Sequence, residues 1–393
     1  MGKMQDTIND FGALKRQSKK LEVSQPFHIM IKPCGPICNL ACEYCYYLPN
    51  SNIYPQSDFR MDEKLLEEFT RQYIQAIPGH HITFTWQGGE PTLMGLDFYK
   101  KAVQLQKKYA SRGFLVRNSL QTNGTLLTAE WCQFLKKNNF LVGISLDGPP
   151  KMHNVYRHNQ SGFSHYRAIL QSVKYLQQYK VDFNILCCVH KANMDYPLEV
   201  YHFLKNRINA EYIQFIPIVQ KNLNYSGNGT LDTIDCSVNS EAYGVFLKKI
   251  FNEWFTEDIG KVFIQIFESA IGTLIGQKSS LCIFSRTCGR ALVMEHNGDI
   301  YSCDHFVDQK NYLGNITKTP LVDLVESQKQ IRFELKKFLS LSPNCLACDV
   351  RQICNGGCPK NRDEKGLNLL CKGYQSFFRY FENQIQELLE QLS

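Results

Sequence analysis

Pro33-Cys34-Gly35-Pro36-Ile37-Cys38-Asn39-Leu40-Ala41-Cys42-Glu43-Tyr44-Cys45 begins where a short β-like run, His28 to Pro33, runs out. Cys38, Cys42 and Cys45 stand in a C-x3-C-x2-C spacing. Three thiolates in one loop leave one iron of a four-iron cube without a protein ligand. A fully ligated cluster serves electron transfer or structure, whereas an iron with a vacant site can hold an outside ligand and act on it. The loop therefore points to an enzyme. A three-cysteine zinc knuckle would need a nearby histidine. None lies within ten residues after Cys45, and His28 falls on the strand.

Outward from this loop, short β-branched or aromatic runs alternate with amphipathic helical patterns as far as Val219. Strands are expected at His28 to Pro33, Ile82 to Gln87, Leu115 to Thr122, Leu141 to Leu146, Phe183 to Val189 and Tyr212 to Ile218. Between the first two, Leu65, Leu66, Phe69 and Tyr73 recur at helical spacing. Six β/α units imply a parallel sheet with right-handed crossovers, either an open barrel or a doubly wound sheet. Polar or glycine-containing segments follow the strand ends: the cysteine loop, Gln87-Gly88-Gly89-Glu90, Asn123-Gly124 and Asp147-Gly148. That edge of a β/α architecture is where active sites form.

The alternation stops in the Asn-, Ser- and Gly-rich stretch Asn222 to Thr230. Helical patterns follow at Glu241 to Phe255 and Phe263 to Ile275. Eight cysteines then crowd into Cys282 to Cys371, a segment with few regular elements apart from a hairpin, Ala291 to Glu295 and Asp299 to Asp304, turned at His296-Asn297-Gly298. A last helix, Tyr374 to Leu392, carries an apolar stripe expected to pack back on the barrel.

At 393 residues and 44% hydrophobic content, the chain can bury one large unit and a smaller one. Sixteen cysteines would suit a secreted disulfide scaffold, but Met1 to Lys20 is polar and charged, unlike a signal segment. The expected location is therefore the cytoplasm, where C-x2-C spacings mean metal. No run of about 18 apolar residues predicts a membrane span. The charge of +7 is spread over 44 basic and 37 acidic residues without a nucleic-acid footprint.

The cysteine loop, with Tyr44 before its last cysteine, resembles the signature of the radical S-adenosylmethionine (SAM) superfamily. The resemblance implies a partial (β/α)6 barrel and supplies the missing iron ligand: SAM chelates the open iron and is cleaved to a 5'-deoxyadenosyl radical. It also implies that Gln87-Gly88-Gly89-Glu90, with Tyr44, Ser145, Arg157 and, at the sixth strand end, Ile218, contact SAM. Glycine backbone can approach a ligand closely. For Ser145 and Arg157, ordinary strand-end capping is the competing reading.

The later pattern, Cys288-x9-Gly298-x4-Cys303, Cys345-x2-Cys348-x5-Cys354-x3-Cys358 and Cys371, resembles the SPASM extension of radical SAM enzymes that modify peptides and proteins. Following that family, Cys282, Cys288, Cys303 and Cys358 would hold one 4Fe-4S cluster. Cys345, Cys348, Cys354 and Cys371 would hold another, making three with the SAM-binding cluster. Paired zinc ribbons compete for the same spacings. Cys187 and Cys188 read as packing residues; Cys34 lies close to the first cluster.

Over nearly its whole length the chain resembles the anaerobic sulfatase-maturating enzymes, through Met30-Ile31-Lys32-Pro33, Cys45-Tyr46-Tyr47, Trp86 to Pro91, Leu120 to Thr125, Gln214 to Pro217 and Tyr301 to His305. The resemblance implies oxidation of a cysteine or serine in a C/S-x-P/A-x-R type motif to Cα-formylglycine. The adenosyl radical would take a hydrogen from Cβ, Asp304 would act as base, and an auxiliary cluster would accept the remaining electron. A solvated carboxylate or cluster neighbour is the bland alternative for Asp304. The implied partners are an unfolded or nascent sulfatase polypeptide and an electron donor such as flavodoxin or ferredoxin, with neither nucleic acid nor membrane. A peptide-crosslinking SPASM maturase and a non-enzymatic iron-sulfur carrier are the competing classes. The expected organisation is a polar tail (1–27), the barrel (28–235), linker helices (236–281), the auxiliary-cluster domain (282–372) and a closing helix (373–393).

Overall fold

A computed structural model describes residues 23–220 and 235–392, with side chains to residue 386. The Asn222 to Thr230 stretch and most of the polar tail lie outside the described residues. Seven strands follow one another in parallel: β1 (His28–Lys32), β2 (His81–Trp86), β3 (Leu115–Thr122), β4 (Phe140–Ser145), β5 (Phe183–Val189), β6 (Tyr212–Pro217) and β7 (Phe263–Ile264). The first six are the strands expected from the sequence. The fold is α/β, and among the described residues its sheet is open: β7 ends one side of a ten-stranded order.

The other side is built from the cysteine-rich segment. The hairpin strands β8 (Ala291–Glu295) and β9 (Asp299–Tyr301) are joined by β10 (Tyr312–Asn315), giving the order β10-β9-β8-β1-β2-β3-β4-β5-β6-β7. β8 lies parallel to β1 in an unbroken register from His28 opposite Ala291 to Lys32 opposite Glu295. At the hairpin turn, Gly298 takes φ +88 and donates to the Glu295 carbonyl at 2.9 Å.

Each helix that covers the sheet follows from its apolar spacing. In Glu63–Ala76, Asp62 caps the first turn by accepting from Leu65 N at 2.7 Å, and Leu65, Leu66, Phe69 and Tyr73 are buried. Phe69 and Tyr73 stack at 5.3 Å and meet Phe84 of β2 edge-on, with Trp86 behind it. Burying side chains of this size contributes roughly 1.5–3 kcal/mol each.

Three expectations need correction. Phe263 and Ile264 are not helical: they pair with β6, where Phe263 stacks on Tyr212 at 5.0 Å, and the helix begins at Gln265. The second hairpin strand stops at Tyr301, its last residue paired with β8, short of the expected Asp304. The cysteine-rich segment is also more regular than its sparse pattern implied. It holds a twelve-residue helix, Gln328–Leu339, capped by Ser327. On that helix Lys337 is buried, its Nζ donating to the carbonyls of Cys282, Ile283 and Ser285 at 2.6, 2.9 and 2.5 Å.

The long final helix, Cys371–Leu392, crosses the Ser240–Glu253 helix at two glycines. A Cβ on Gly373 would fall on the Ser240 carbonyl, and one on Gly244 would meet Gly373 backbone at 2.9 Å. Beside the crossing, Tyr243, Phe251 and Phe267 pack on Tyr374, Phe377 and Phe381. Among the described residues no helix is long and apolar enough to cross a membrane.

Alanine is intrinsically the better helix former by about 1 kcal/mol. Gly373→Ala is nevertheless expected to destabilise the protein by roughly 1–3 kcal/mol, because the clash is with backbone. Thermal denaturation of the two proteins measures the difference; a raised midpoint would contradict the crossing.

Candidate active site

After β1 the chain turns twice, Gly35 N bonding the Lys32 carbonyl at 3.1 Å and Ile37 N the Cys34 carbonyl at 3.2 Å. This loop docks backbone-to-backbone on the segment after β2: Gly89 N donates to Gly35 O and Glu90 N to Ile37 O, both at 2.8 Å. A Cβ on Gly89 would coincide with the Ile37 carbonyl, so the position requires glycine. The Glu90 carboxylate is fully buried. It accepts from Thr92 N and Oγ1, Thr122 Oγ1 and Asn123 N at 2.5–3.0 Å, tying this segment to the end of β3. Burial raises its pKa against the pull of those donors. Asn123 continues the frame to Asn39 at 2.8 Å and to Cys38 Sγ at 3.7 Å.

Cys38, Cys42 and Cys45 come together in this loop, close enough for Cys42 and Cys45 to influence Cys38. Cys34 is turned away: its thiol is buried, donates to the Glu90 carbonyl at 3.2 Å and has its pKa pushed up to about 12, chiefly by burial.

At the ends of β4 and β5 a buried ionic hub stands beside Cys42. The Asp147 carboxylate accepts from Tyr44 Oη, from Arg157 Nε at 2.7 Å and Nη2 at 3.2 Å, and from Cys188 N at 2.9 Å. Burial disfavours that charge, but the Arg157 guanidinium, with His190 at 3.5 Å, holds the Asp147 pKa far below the usual carboxylate range. Arg157 also lies 5.3 Å over the Tyr44 ring and acts electrostatically on Cys42. His153, accepting from Asp147 N at 3.2 Å, is kept neutral by burial, its pKa lowered to about 3. Ile218 packs against the Tyr44, Tyr156 and Cys236 cluster. Ser145 Oγ accepts from Gln121 at 3.2 Å.

The eight cysteines from Cys282 to Cys371 sort into two groups. Cys282, Cys288, Cys303 and Cys358 lie close enough to perturb one another's ionisation. Cys345, Cys348, Cys354 and Cys371 do the same and line one cavity of about 610 Å³. Among the described residues no three His, Cys, Asp or Glu side chains converge as they would on a single ion. Thiols set around a space suit a multinuclear cluster, whereas a mononuclear zinc site needs a tight tetrahedron. Cys354 and Cys358, one from each group, are joined by a reversed turn in which Asn355, Gly356 and Gly357 have φ of 44, 71 and 62.

Asp304 lies between the first loop and the Cys303 group. Tyr46 donates to its Oδ2 at 2.6 Å, and Lys32 Nζ stands 3.9 Å from the same oxygen. Burial opposes the charge, but His305, Lys32 and the bonds from Tyr46 and Cys303 outweigh it, holding the Asp304 pKa at about 2. The Tyr46 ring is covered by Lys360 Nζ at 4.4 Å and meets the His305 ring at 4.7 Å.

Asp147, Tyr46, Lys360 and Lys32 were not singled out from the sequence. Lys32 had a readable signal, a charge on the buried strand His-Ile-Met-Ile-Lys. Asp147 had only its place after a strand, and Tyr46 and Lys360 meet across more than 300 residues. Removing one partner of a buried ion pair leaves the other charge stranded. Asp147→Asn is therefore expected to cost about 3–5 kcal/mol in a denaturation measurement. A much smaller loss would mean that Arg157 is satisfied elsewhere.

The radical SAM superfamily model matches residues 33–204, and an iron-sulfur cluster-binding domain, SPASM, matches residues 282–349. A serine-type anaerobic sulfatase-maturating enzyme of Bacteroides thetaiotaomicron is 44% identical over 94% of this chain and 93% of its own. A cysteine-type enzyme of Clostridium perfringens is 34% identical over 90% of this chain and 96% of its own. Native anSMEcpe, solved with bound AdoMet and Kp18Cys peptide, superposes with a TM-score of 0.84 at 33% identity, over 93% of this chain and 100% of that one. Streptococcus suis SuiB, at 16% identity and a TM-score of 0.61 over 93% of this chain and 81% of its own, shares the fold alone. This chain belongs to the anaerobic sulfatase-maturating enzymes of the radical SAM superfamily.

Proposed function

We propose that this protein oxidises a serine or cysteine in a sulfatase C/S-x-P/A-x-R type motif to Cα-formylglycine. The observation that carries the reading is the Asp304 carboxylate, buried and hydrogen-bonded to Tyr46, one residue beyond the first cluster loop. Conversion of a serine side chain to an aldehyde removes a hydrogen atom from Cβ, a proton from oxygen and one electron. Cysteine gives a thioaldehyde by the same removals, and water then replaces sulfur. SAM, held with the first cluster, would supply the radical chemistry that takes the hydrogen atom, and auxiliary clusters would supply an acceptor for the electron.

The chain's residues divide the remaining work. Cys38, Cys42 and Cys45 would hold the first cluster. Tyr44, Gln87, Gly88, Gly89, Ser145, Arg157 and Ile218 would surround SAM, with Glu90 holding the glycine segment through its four donors rather than offering its carboxylate. Cys282, Cys288, Cys303 and Cys358 would hold one auxiliary 4Fe-4S cluster, and Cys345, Cys348, Cys354 and Cys371 the other, three clusters in all. Asp304 would take the heteroatom proton, its buried and fully oriented carboxylate needing only hydrogen-bond reach. Residues 28–235 would form the radical-generating unit, 236–281 its connection, 282–372 the auxiliary unit and 373–393 the closing helix.

The substrate is a peptide segment, and a flavodoxin- or ferredoxin-like donor would deliver the priming electron in the cytoplasm. The higher identity to a serine-type relative, 44% against 34%, supports a serine target. No observation favours peptide crosslinking.

Reconstituted, reduced protein incubated anaerobically with SAM and two peptides differing only in Ser or Cys tests the reading by mass spectrometry. An aldehyde with 5'-deoxyadenosine is expected, more from the serine peptide; SAM cleavage with both peptides unaltered would refute the substrate assignment. Asp304→Asn is expected to lower aldehyde formation about 10²–10⁴-fold, while iron content stays at the parent level.

A further inference from the structure

Lys32 closes β1 with only 1% of its surface exposed. Its stem runs along Gly88, where an added Cβ would sit 3.5 Å from both its Cα and its Cδ. Its ammonium donates to Gln87 Oε1 at 3.1 Å, stands 3.9 Å from Asp304 Oδ2 and lies 4.4 Å over the Tyr47 ring. Tyr47 in turn donates to both oxygens of buried Glu295, at 2.7 and 2.8 Å.

Lys337 is equally buried, yet all three of its N–H groups go to carbonyl oxygens at 2.5–2.9 Å. Lys32 makes one hydrogen bond among the described residues, and its nearest carboxylate is beyond hydrogen-bond distance. Taking an ammonium out of water costs several kcal/mol unless its donors are met, and an apolar residue of similar volume would fill this strand end at lower cost. Stability alone does not account for a lysine here.

The proposed reaction makes a demand that this position meets. Cβ and the side-chain heteroatom of the target are one bond apart, so the groups that take the hydrogen atom and the proton must be held in fixed register. Gln87 and Gly88 belong to the SAM side of the site and Asp304 to the auxiliary side, and Lys32 touches both. We propose that Lys32 is the positioning residue that sets this register, drawing Asp304 Oδ2 towards the Gln87–Gly88 segment while Tyr46 holds the same oxygen. Asp304 Oδ1, whose contact is Cys303 Sγ at 3.6 Å, is then the oxygen presented to the substrate. The inference rests on Asp304 being the base.

The test uses the full chain with its iron reconstituted and a serine peptide deuterated at Cβ. Deuterium in 5'-deoxyadenosine reports hydrogen abstraction; aldehyde reports completion. In Lys32→Met the expected result is continued deuterium transfer at parental iron content, with the yield of aldehyde per deuterated 5'-deoxyadenosine reduced about 10²-fold, the scale of a 1 Å misplacement. Lys32→Gln, which can still bond Gln87 but lacks the charge, should show the same uncoupling and carries the test if Lys32→Met does not retain iron. A parental yield in these variants, or lost SAM binding with the yield intact, would overturn the role of Lys32. Asp304→Asn separates the two ideas: a parental yield there overturns the base assignment instead.

Discussion

The parallel pairing of β8 against β1 is the constraint on which the rest of the molecule depends. β1 ends in the first cysteine loop, and β8 turns tightly into antiparallel β9, after which Cys303 and Asp304 follow. Because the ladder runs unbroken from His28 opposite Ala291 to Lys32 opposite Glu295, the hairpin that carries Cys303 and Asp304 is locked beside the strand that carries the cysteine loop. Residues separated by 263 positions are thereby fixed by main-chain hydrogen bonds, which are insensitive to side-chain exchange. The auxiliary segment is thus an extension of the barrel sheet rather than a module tethered beside it.

Around that edge the molecule accepts an unusual density of buried charge. Lys32, Glu90, Asp147, Arg157, Glu295 and Asp304 are all nearly inaccessible. Each is expensive to bury alone, and the cost falls only where donors and counter-charges are supplied. Asp147 receives them from three separate elements and Glu90 from two, so both bind loops together. Such networks fix geometry more than they add stability. A site that must keep a reactive radical from straying benefits from rigidity.

Much of this was legible in the sequence because local rules and tertiary structure agree. All six expected barrel strands are present, and the helix at Glu63–Ala76 buries the four residues its spacing selected. The crowding of eight cysteines between Cys282 and Cys371 is equally plain in the sequence. What sequence could not give was anything decided by sheet pairing at a distance. Phe263 and Ile264 fit a helical stripe and became a strand because β6 offers a free edge there. The Gln328–Leu339 helix escaped notice because its inward side uses Gln330 and Lys337 rather than apolar residues. Glu90 is legible as part of its motif, but its bonds to Thr122 and Asn123 are set by the pairing of β2 with β3. Lys32, Tyr46 and Asp304 meet only after β8 has found β1.

The reversed turn at Asn355, Gly356 and Gly357 has a consequence for how the protein ages in air. Under the proposed ligand sets, it hands the chain from one auxiliary cluster to the other within four residues, through backbone angles that side chains other than glycine and asparagine rarely adopt. So short a connection leaves little slack between the two sites. Oxidative damage at either auxiliary cluster should therefore propagate to its twin, and the two should fail together as a single oxygen-sensitive unit.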